Sequence, residues 1–268
     1  NCLRSIKQQN YPKIEIIIVD GYSKDHTVSI AKKYTNKIFF CDKNLGTSRQ
    51  KSIDLAAGEI LALFDSDIII PHENWLRNAI TFFNYSNSVS SIWPLCQAPP
   101  NASKFSRLYQ TNLYPLIIFN RIKNNRGYFG GGNTLFLRKY IDEIGGINQE
   151  LHWGEDFDWA KKLKKKGYQV VLIKDPLYHD TMKSLKEFTK KQLTGADTFI
   201  DTGFGLMGLT LSQILYENYI LGTRGMIYGI IREKDPSWML YPFIPLIRTF
   251  AYFYKYVTKK CLKTRVIR

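Results

Sequence analysis

Two acidic clusters in this chain have the residue types and the setting for chemistry. Asp65-Ser66-Asp67 directly follows the apolar run Ile60-Leu61-Ala62-Leu63-Phe64, and Glu155-Asp156 lies inside Trp153-Gly154-Glu155-Asp156-Phe157-Asp158-Trp159. A buried strand that runs into paired carboxylates delivers them at its carboxyl end, the edge where open α/β sheets bind ligands. Carboxylate oxygens there can share a small, hard cation with a diphosphate. The second cluster adds a carboxylate able to take up a proton. With 14 Asp among 268 residues, about 0.7 Asp-x-Asp triplets arise by chance, and Asp156-Phe157-Asp158 is a second triplet. The triplet alone therefore decides nothing, and its surroundings have to.

Those surroundings alternate. Residues 1–9 have the pattern of the end of a helix, with Leu3 and Ile6 on one face. Ile14–Val19 is a continuous apolar run, as expected of a strand buried on both faces of a parallel sheet, and it ends at the turn Asp20-Gly21. Ser23 or Asp25 can cap a helix carrying Val28, Ala31 and Tyr34. The strand Ile38–Phe40, a helix over Thr47–Ala57 stopped by Gly58, and the strand Ile60–Phe64 follow. Beyond the first acidic cluster the pattern predicts a helix near 73–84, a strand over Val89–Leu95 and an aromatic-rich helical stretch over 103–120. Gly130-Gly131-Gly132 interrupts before the strand Asn133–Leu137; then come the amphipathic helix Glu155–Lys166, capped by Gly167, and the strand Tyr168–Ile173. This alternation predicts an α/β fold, a mostly parallel central sheet flanked by helices.

The chain is long enough for one large domain, or one domain with an appendage, and 44% of it is apolar. Its formal net charge is +15, and residues 203–268 hold 10 Lys or Arg against 3 Asp or Glu. The same segment is rich in aromatic and apolar residues, as in Trp238-Met239-Leu240-Tyr241-Pro242-Phe243-Ile244. Basic and apolar together fit an anionic membrane surface better than nucleic acid, for which neither zinc-finger spacing nor an aromatic RNA-binding motif is present. Cys2, Cys41, Cys96 and Cys261 are far apart and match no metal or redox spacing, so reduced thiols in a cytoplasmic protein are expected.

Three ordered stretches carry a resemblance: CLRSIKQQNYPKIEIIIVDGYSKDHT, NLGTSRQKSIDLAAGEILALFDSD and GGGNTLFLRKYIDEIGGINQELHWGEDFDWAKKLKKKGYQV. Together they resemble a family 2 glycosyltransferase of the GT-A fold, from Asn1 to about residue 200. The resemblance implies an inverting, metal-dependent transfer of a sugar from a nucleotide-sugar donor to an acceptor hydroxyl. It implies a GT-A domain over 1–202, with 203–268 left as a helical, membrane-associating region. Asp20 would lie beside the nucleotide base, although Gly21 stands where the commonest pattern has a second acid. Arg49 would lie near the nucleotide, Asp65 on the ribose side, and Asp67 on a Mg2+ or Mn2+ ion bridging the phosphates. Gly131, Gly132 and Asn133 belong to a loop expected close to the sugar, since glycine lets backbone approach a ligand. His179, after the last strand, is a further candidate metal ligand. Asp156 is the candidate general base, with Glu155 orienting the acceptor or taking the proton itself.

Processive relatives carry Gln-x-x-Arg-Trp further on; here the stretch reads Lys190-Lys191-Gln192-Leu193-Thr194-Gly195, which implies addition of a single sugar. Given the tail, the expected acceptor is a lipid-linked glycan at the cytoplasmic membrane face. A polyprenyl-phosphate sugar synthase, with the lipid phosphate as nucleophile, and a catalytically silent nucleotide- or glycan-binding relative are the alternatives. The stretches 203–222 and 238–257 approach bilayer length but are interrupted by Glu217 and by Arg248 and Lys255, so they are expected to lie on the leaflet or partly in it. Finally, Cys2–Ile6 matches the helix that follows the family's first strand and turn, so roughly twenty residues of the family pattern are expected to precede Asn1. Without them the chain is expected to be unstable and to bind nucleotide weakly.

Overall fold

The computed structural model of the protein describes residues 1–113, 116, 132–151, 155–201, 212 and 215–266. The elements run α1 (Cys2–Lys7), β1 (Ile18–Asp20), α2 (Thr27–Ala31), β2 (Ile38–Phe40), α3 (Leu45–Leu55), β3 (Ile60–Leu63), β4 (Ile68–Ile69), α4 (Trp75–Thr81) and β5 (Val89–Gln97). Then come α5 (Lys104–Ser106), a π-helical stretch (Arg107–Leu113), β6 (Thr134–Leu137), α6 (Arg138–Glu143), α7 (Glu155–Lys165), β7 (Gln169–His179) and α8 (Leu185–Asp201). A second π-helical stretch (Tyr216–Leu221) leads into α9 (Gly222–Ile231), a 3-10 turn (Pro236–Leu240) and α10 (Phe243–Val266). The chain forms two compact units, one of Asn1–Cys96 with Asn125–His179, the other of Gln97–Asn124 with Asp180–Arg268.

In the first unit, β1 and β2 pair in parallel, Ile18 opposite Ile38 and Asp20 opposite Phe40. The ladder is three residues long because β2 is, so the expected strand Ile14–Val19 shortens to Ile18–Asp20. The larger sheet has the order β3-β6-β5-β7-β4. Here the expectation of a mostly parallel sheet is corrected: β3 and β5 each pair antiparallel with β6, and β4 pairs antiparallel with β7. A strand such as Val89–Cys96, buried throughout, reports that both faces are covered and says nothing about the direction of its neighbours.

The order of this sheet has a geometric consequence. β3 and β4 occupy opposite edges, yet only Phe64–Asp67 joins them. The Ile68 N–H donates to the Asp65 carbonyl at 3.3 Å, closing a turn whose ends lie within ~7 Å. The link therefore spans at most ~14 Å, whereas the edges of a flat five-stranded sheet are ~19 Å apart. The sheet has to curl, and the first acidic cluster sits on the closure. The core beneath it gathers Ile68, Ile70, Trp75, Leu76, Val89, Ile92, Leu135, Ile173 and Leu177.

Helix α3 ends at Leu55 rather than at Ala57; Ala56 is extended, and Arg138 takes over the capping. Its guanidinium donates to the carbonyls of Ile53 and Gly58, both at 3.1 Å, and to that of Ala56. Gly167, with φ +81°, does end the helix before β7, as its left-handed backbone requires. β7 itself runs to His179, well past the expected Ile173.

The second unit is helical. Phe105, Leu108, Leu113, Met182, Phe188, Trp238, Tyr241 and Ile244 form its core. Asp235 caps the turn at Pro236 by accepting the Ser237 N–H at 2.9 Å. Gly229 of α9 lies so close to Trp238 that a Cβ there would stand 1.9 Å from the indole Cδ1. Among the described residues, no helix is long and apolar enough to cross a membrane; residues 203–211, 213 and 214, within the first of the two stretches of bilayer length, lie outside them.

Candidate metal and donor site

Register builds the site, all of it within the first unit. Leu63 of β3 faces Thr134 of β6 in an antiparallel pair. Two residues past Leu63 and two before Thr134, Asp65 therefore falls against Gly132. A Cβ on Gly132 would stand 2.3 Å from Asp65 Oδ2, so the carboxylate occupies the space a side chain would fill. Asn133, buried and with φ +66°, holds the other side. Its Oδ1 accepts the Asp65 N–H at 3.0 Å, and its Nδ2 donates to Asp65 Oδ2 at 3.3 Å. Asn is among the residues that tolerate the left-handed region.

The second register does the same for Asp67. Ile68 of β4 pairs with His179 of β7, so the residue just before β4 meets the last residue of β7. His179 Nε2 lies 3.1 Å from Asp67 Oδ1. Asp65, Asp67 and His179 thus offer two carboxylate oxygens and an imidazole nitrogen within 4.8 Å of one another. Two carboxylates with few other protein ligands suit a hard divalent ion that keeps positions open for phosphate oxygens.

Glu155 reaches the same region from α7. Helix α7 docks through Trp159, fully buried and edge-on to Phe136 of β6 with ring centroids 4.7 Å apart. Its first turn carries Glu155, Asp156 and Asp158, its last Lys162, Lys164 and Lys165, both matched to the helix dipole. Helix α3 is stitched to the segment before α7: Asn44 caps it by accepting the Thr47 N–H at 2.9 Å and donates to the Gln149 carbonyl at 2.8 Å. Gln50 accepts the Ile147 N–H at 2.7 Å. This brings Arg49 between the two acidic clusters. Its guanidinium forms an ion pair with Glu155 and lies 3.6 Å from Asp65 Oδ1.

Burial pushes the Glu155 carboxyl up to about 7, against the pull of Arg49 and with a further push from Asp156. Among the described residues, Glu155 Oε2 is buried without a hydrogen-bond partner. Asp156, beside it in the first turn of α7, is half-buried. Cys96 and Cys2 border Asp65 on the interior side; burial raises their thiols to about 12 and about 11, so both are inert.

The structure thus brings together Arg49, Asp65, Asp67, Gly132, Asn133, Glu155 and His179 of the residues singled out from sequence. Asp20 is engaged locally: buried at the end of β1, its Oδ1 accepts the Ser23 N–H at 2.7 Å while Tyr22 stacks on Phe40. Gly131 lies outside the described residues. Two features were not foreseen: the side-chain grip of Asn133 on Asp65, and Arg49 as a tie between the acidic clusters. The Asn in a glycine-rich stretch was a signal for the first; only the fold reveals the second.

Residues 1–145 match the sequence model of glycosyl transferase family 2. The chain is 24% identical over 201 residues to the glycosyltransferase AglE of Haloferax volcanii, covering 71% of this chain and 65% of that protein. It is 25% identical over 179 residues to the O-antigen chain rhamnosyltransferase WbaN of Salmonella anatum, covering 62% and 55%. The chain thus spans a little over half to about two thirds of the length of these relatives. Among solved structures, the mannosyltransferase PcManGT of Pyrobaculum calidifontis, in complex with GDP-Man and Mn2+, superposes with a TM-score of 0.64 at 15% identity, over 94% of this chain and 81% of that one. The fold is of the GT-A type, and the chain belongs to glycosyl transferase family 2.

Proposed function

We propose that the protein is an inverting, metal-dependent glycosyltransferase that moves a single sugar from a nucleotide-sugar donor to an acceptor hydroxyl. The convergence of Asp65, Asp67 and His179 at the closure of the curled sheet, in a chain of family 2, carries this reading. These three residues would hold Mg2+ or Mn2+; the solved relative with GDP-Man and Mn2+ supports that choice. Bound there, a divalent ion supplies positive charge against the charge growing on a departing nucleoside diphosphate.

The chain's own residues do the rest. Asn133 and Gly132 fix the Asp65 carboxylate, and Arg49 ties it to the start of α7. Asp156, in the first turn of α7 where the dipole favours the ionised form, accepts the proton of the attacking hydroxyl. Glu155, beside it in the first turn of α7, orients that hydroxyl. Asp20 and Arg49 face the nucleotide in this reading, and attack opposite the leaving group inverts the anomeric centre. The acceptor is a lipid-linked glycan at a membrane face, in keeping with the basic, apolar tail. That tail equally supports a polyprenyl-phosphate acceptor, whose nucleophile is already ionised.

A panel of nucleotide sugars, scored by release of nucleoside diphosphate, tests the reading. Asp156→Asn should cut turnover ~10²-fold or more while sparing donor affinity. Retained turnover with a polyprenyl phosphate would favour the second acceptor, and no release from any donor would favour a silent binding protein.

A further inference from the structure

Helix α10 (Phe243–Val266) has two unlike faces. One packs inward: Ile244 and Ala251 are each 1% exposed, and the Arg248 guanidinium lies over the Phe188 ring of α8. The other face sets large apolar side chains in water. Phe243, Leu246, Phe250, Phe253 and Val257, spaced alternately by three and four residues, are 40–64% exposed. The Phe250 ring stacks on that of Tyr254, itself half exposed. Helix α9 (Gly222–Ile231) has exposed apolar residues of its own, Ile227, Tyr228 and Ile231, each at least half exposed. Single exposed apolar residues need no explanation, but a continuous stripe along a helix marks a docking surface.

Spacing of this kind also suits a coiled-coil seam, so charge has to choose between occupants. From Pro236 to Arg268 the chain has seven Lys or Arg and no Asp or Glu. Arg224, Arg232 and Lys234, all exposed, stand in or just after α9 against one exposed acid, Glu233. Two copies meeting along the stripe would bring two all-basic helices together, which costs energy. An anionic lipid leaflet takes the aromatic side chains into its acyl boundary and the cations among its headgroups.

We propose that the stripe of α10 is a membrane-docking surface, with the helix lying in the plane of an anionic phospholipid leaflet rather than across it. This deepens the membrane-face part of the proposed function and is independent of donor, metal and base.

Flotation of the full chain with vesicles tests it without needing turnover. Binding should be strong to phosphatidylcholine–phosphatidylglycerol vesicles, and at least about tenfold weaker to phosphatidylcholine alone or in high salt. The double variant Phe250→Ser/Phe253→Ser should bind about a hundredfold more weakly, from the lost burial of two aromatic rings. Because both rings are exposed, its melting temperature and its release of nucleoside diphosphate with a water-soluble acceptor should match the parent's. Equal flotation of parent and variant, equal binding to neutral and anionic vesicles, or no binding would overturn the proposal. So would a concentration-dependent dimer of the parent that the double variant abolishes, since the stripe would then belong to a second copy. Vesicle binding without turnover on any donor would sink the transferase reading and leave this one standing.

Discussion

At the scale of single residues, the site is a chain of polar contacts: His179 to Asp67, and Asp65 to Arg49 to Glu155. If Asp67 holds the metal, Asp67→Ala should abolish transfer and metal-dependent donor binding without lowering the melting temperature, because the side chain is 44% exposed. Full activity in excess chelator would contradict the assignment. Glu155 makes a separate prediction. Its folded-state value, about 7, lies above the ordinary 4.5, so between these values the folded protein holds a proton that the unfolded chain has released. The contribution is fully present below pH 4.5 and is lost as pH rises through about 7. Stability should fall over that window by ~1–3 kcal/mol, and Glu155→Gln should flatten the fall. Urea titrations at about pH 5 and about pH 8 would measure it; an equal slope in the variant would assign the titration to another group.

At the scale of elements, two antiparallel registers put the carboxylates where they are. β3 against β6 sets Asp65 over Gly132, and β4 against β7 sets Asp67 beside His179. Gly132→Ala should therefore push the Asp65 carboxylate aside, since the new methyl would stand 2.3 Å from Oδ2. Metal affinity should fall ~10–100-fold, as for the loss of a supporting contact, with the sheet intact. Titration of Mn2+ by isothermal calorimetry reads this directly, and wild-type affinity would show that Asp65 is not a ligand.

At the scale of the molecule, the second unit has its own core, pinned where α9 crosses Trp238 and Tyr241. Gly229→Val forces a side chain into the 1.9 Å gap before the indole. Overpacking of this kind costs ~1–3 kcal/mol or more, so helical signal followed by circular dichroism should melt earlier. An unchanged melt would mean that α9 moves away from Trp238 freely.

Much of this was legible without coordinates, for reasons that differ by feature. Burial of Val89–Cys96 and Trp159, the amphipathic helix after Glu155 and its Gly167 cap all follow from local pattern, because side-chain periodicity and backbone preference are set over a few residues; Ile60–Leu63 forms the expected strand but buries only Leu61. The acidic clusters and their order along the chain were visible too, and with them the family. Strand direction was not, since a buried face looks the same whichever way its neighbour runs. Nor was the strand Ile68-Ile69, too short to show a period yet the element that meets His179. The end of α3 at Leu55, two residues before the Ala57 that Gly58 suggests, was not legible either, because the carbonyls there are capped by Arg138, about 80 residues away. By itself the sequence determined which side chains could do chemistry and that the strand from Val89 would be buried, whereas Ile14–Val19 and Ile60–Leu63 are only partly so. Only the tertiary structure decided that Arg49 joins the two clusters and that Asn133 grips Asp65, because those contacts depend on how the sheet curls and in which register its strands meet.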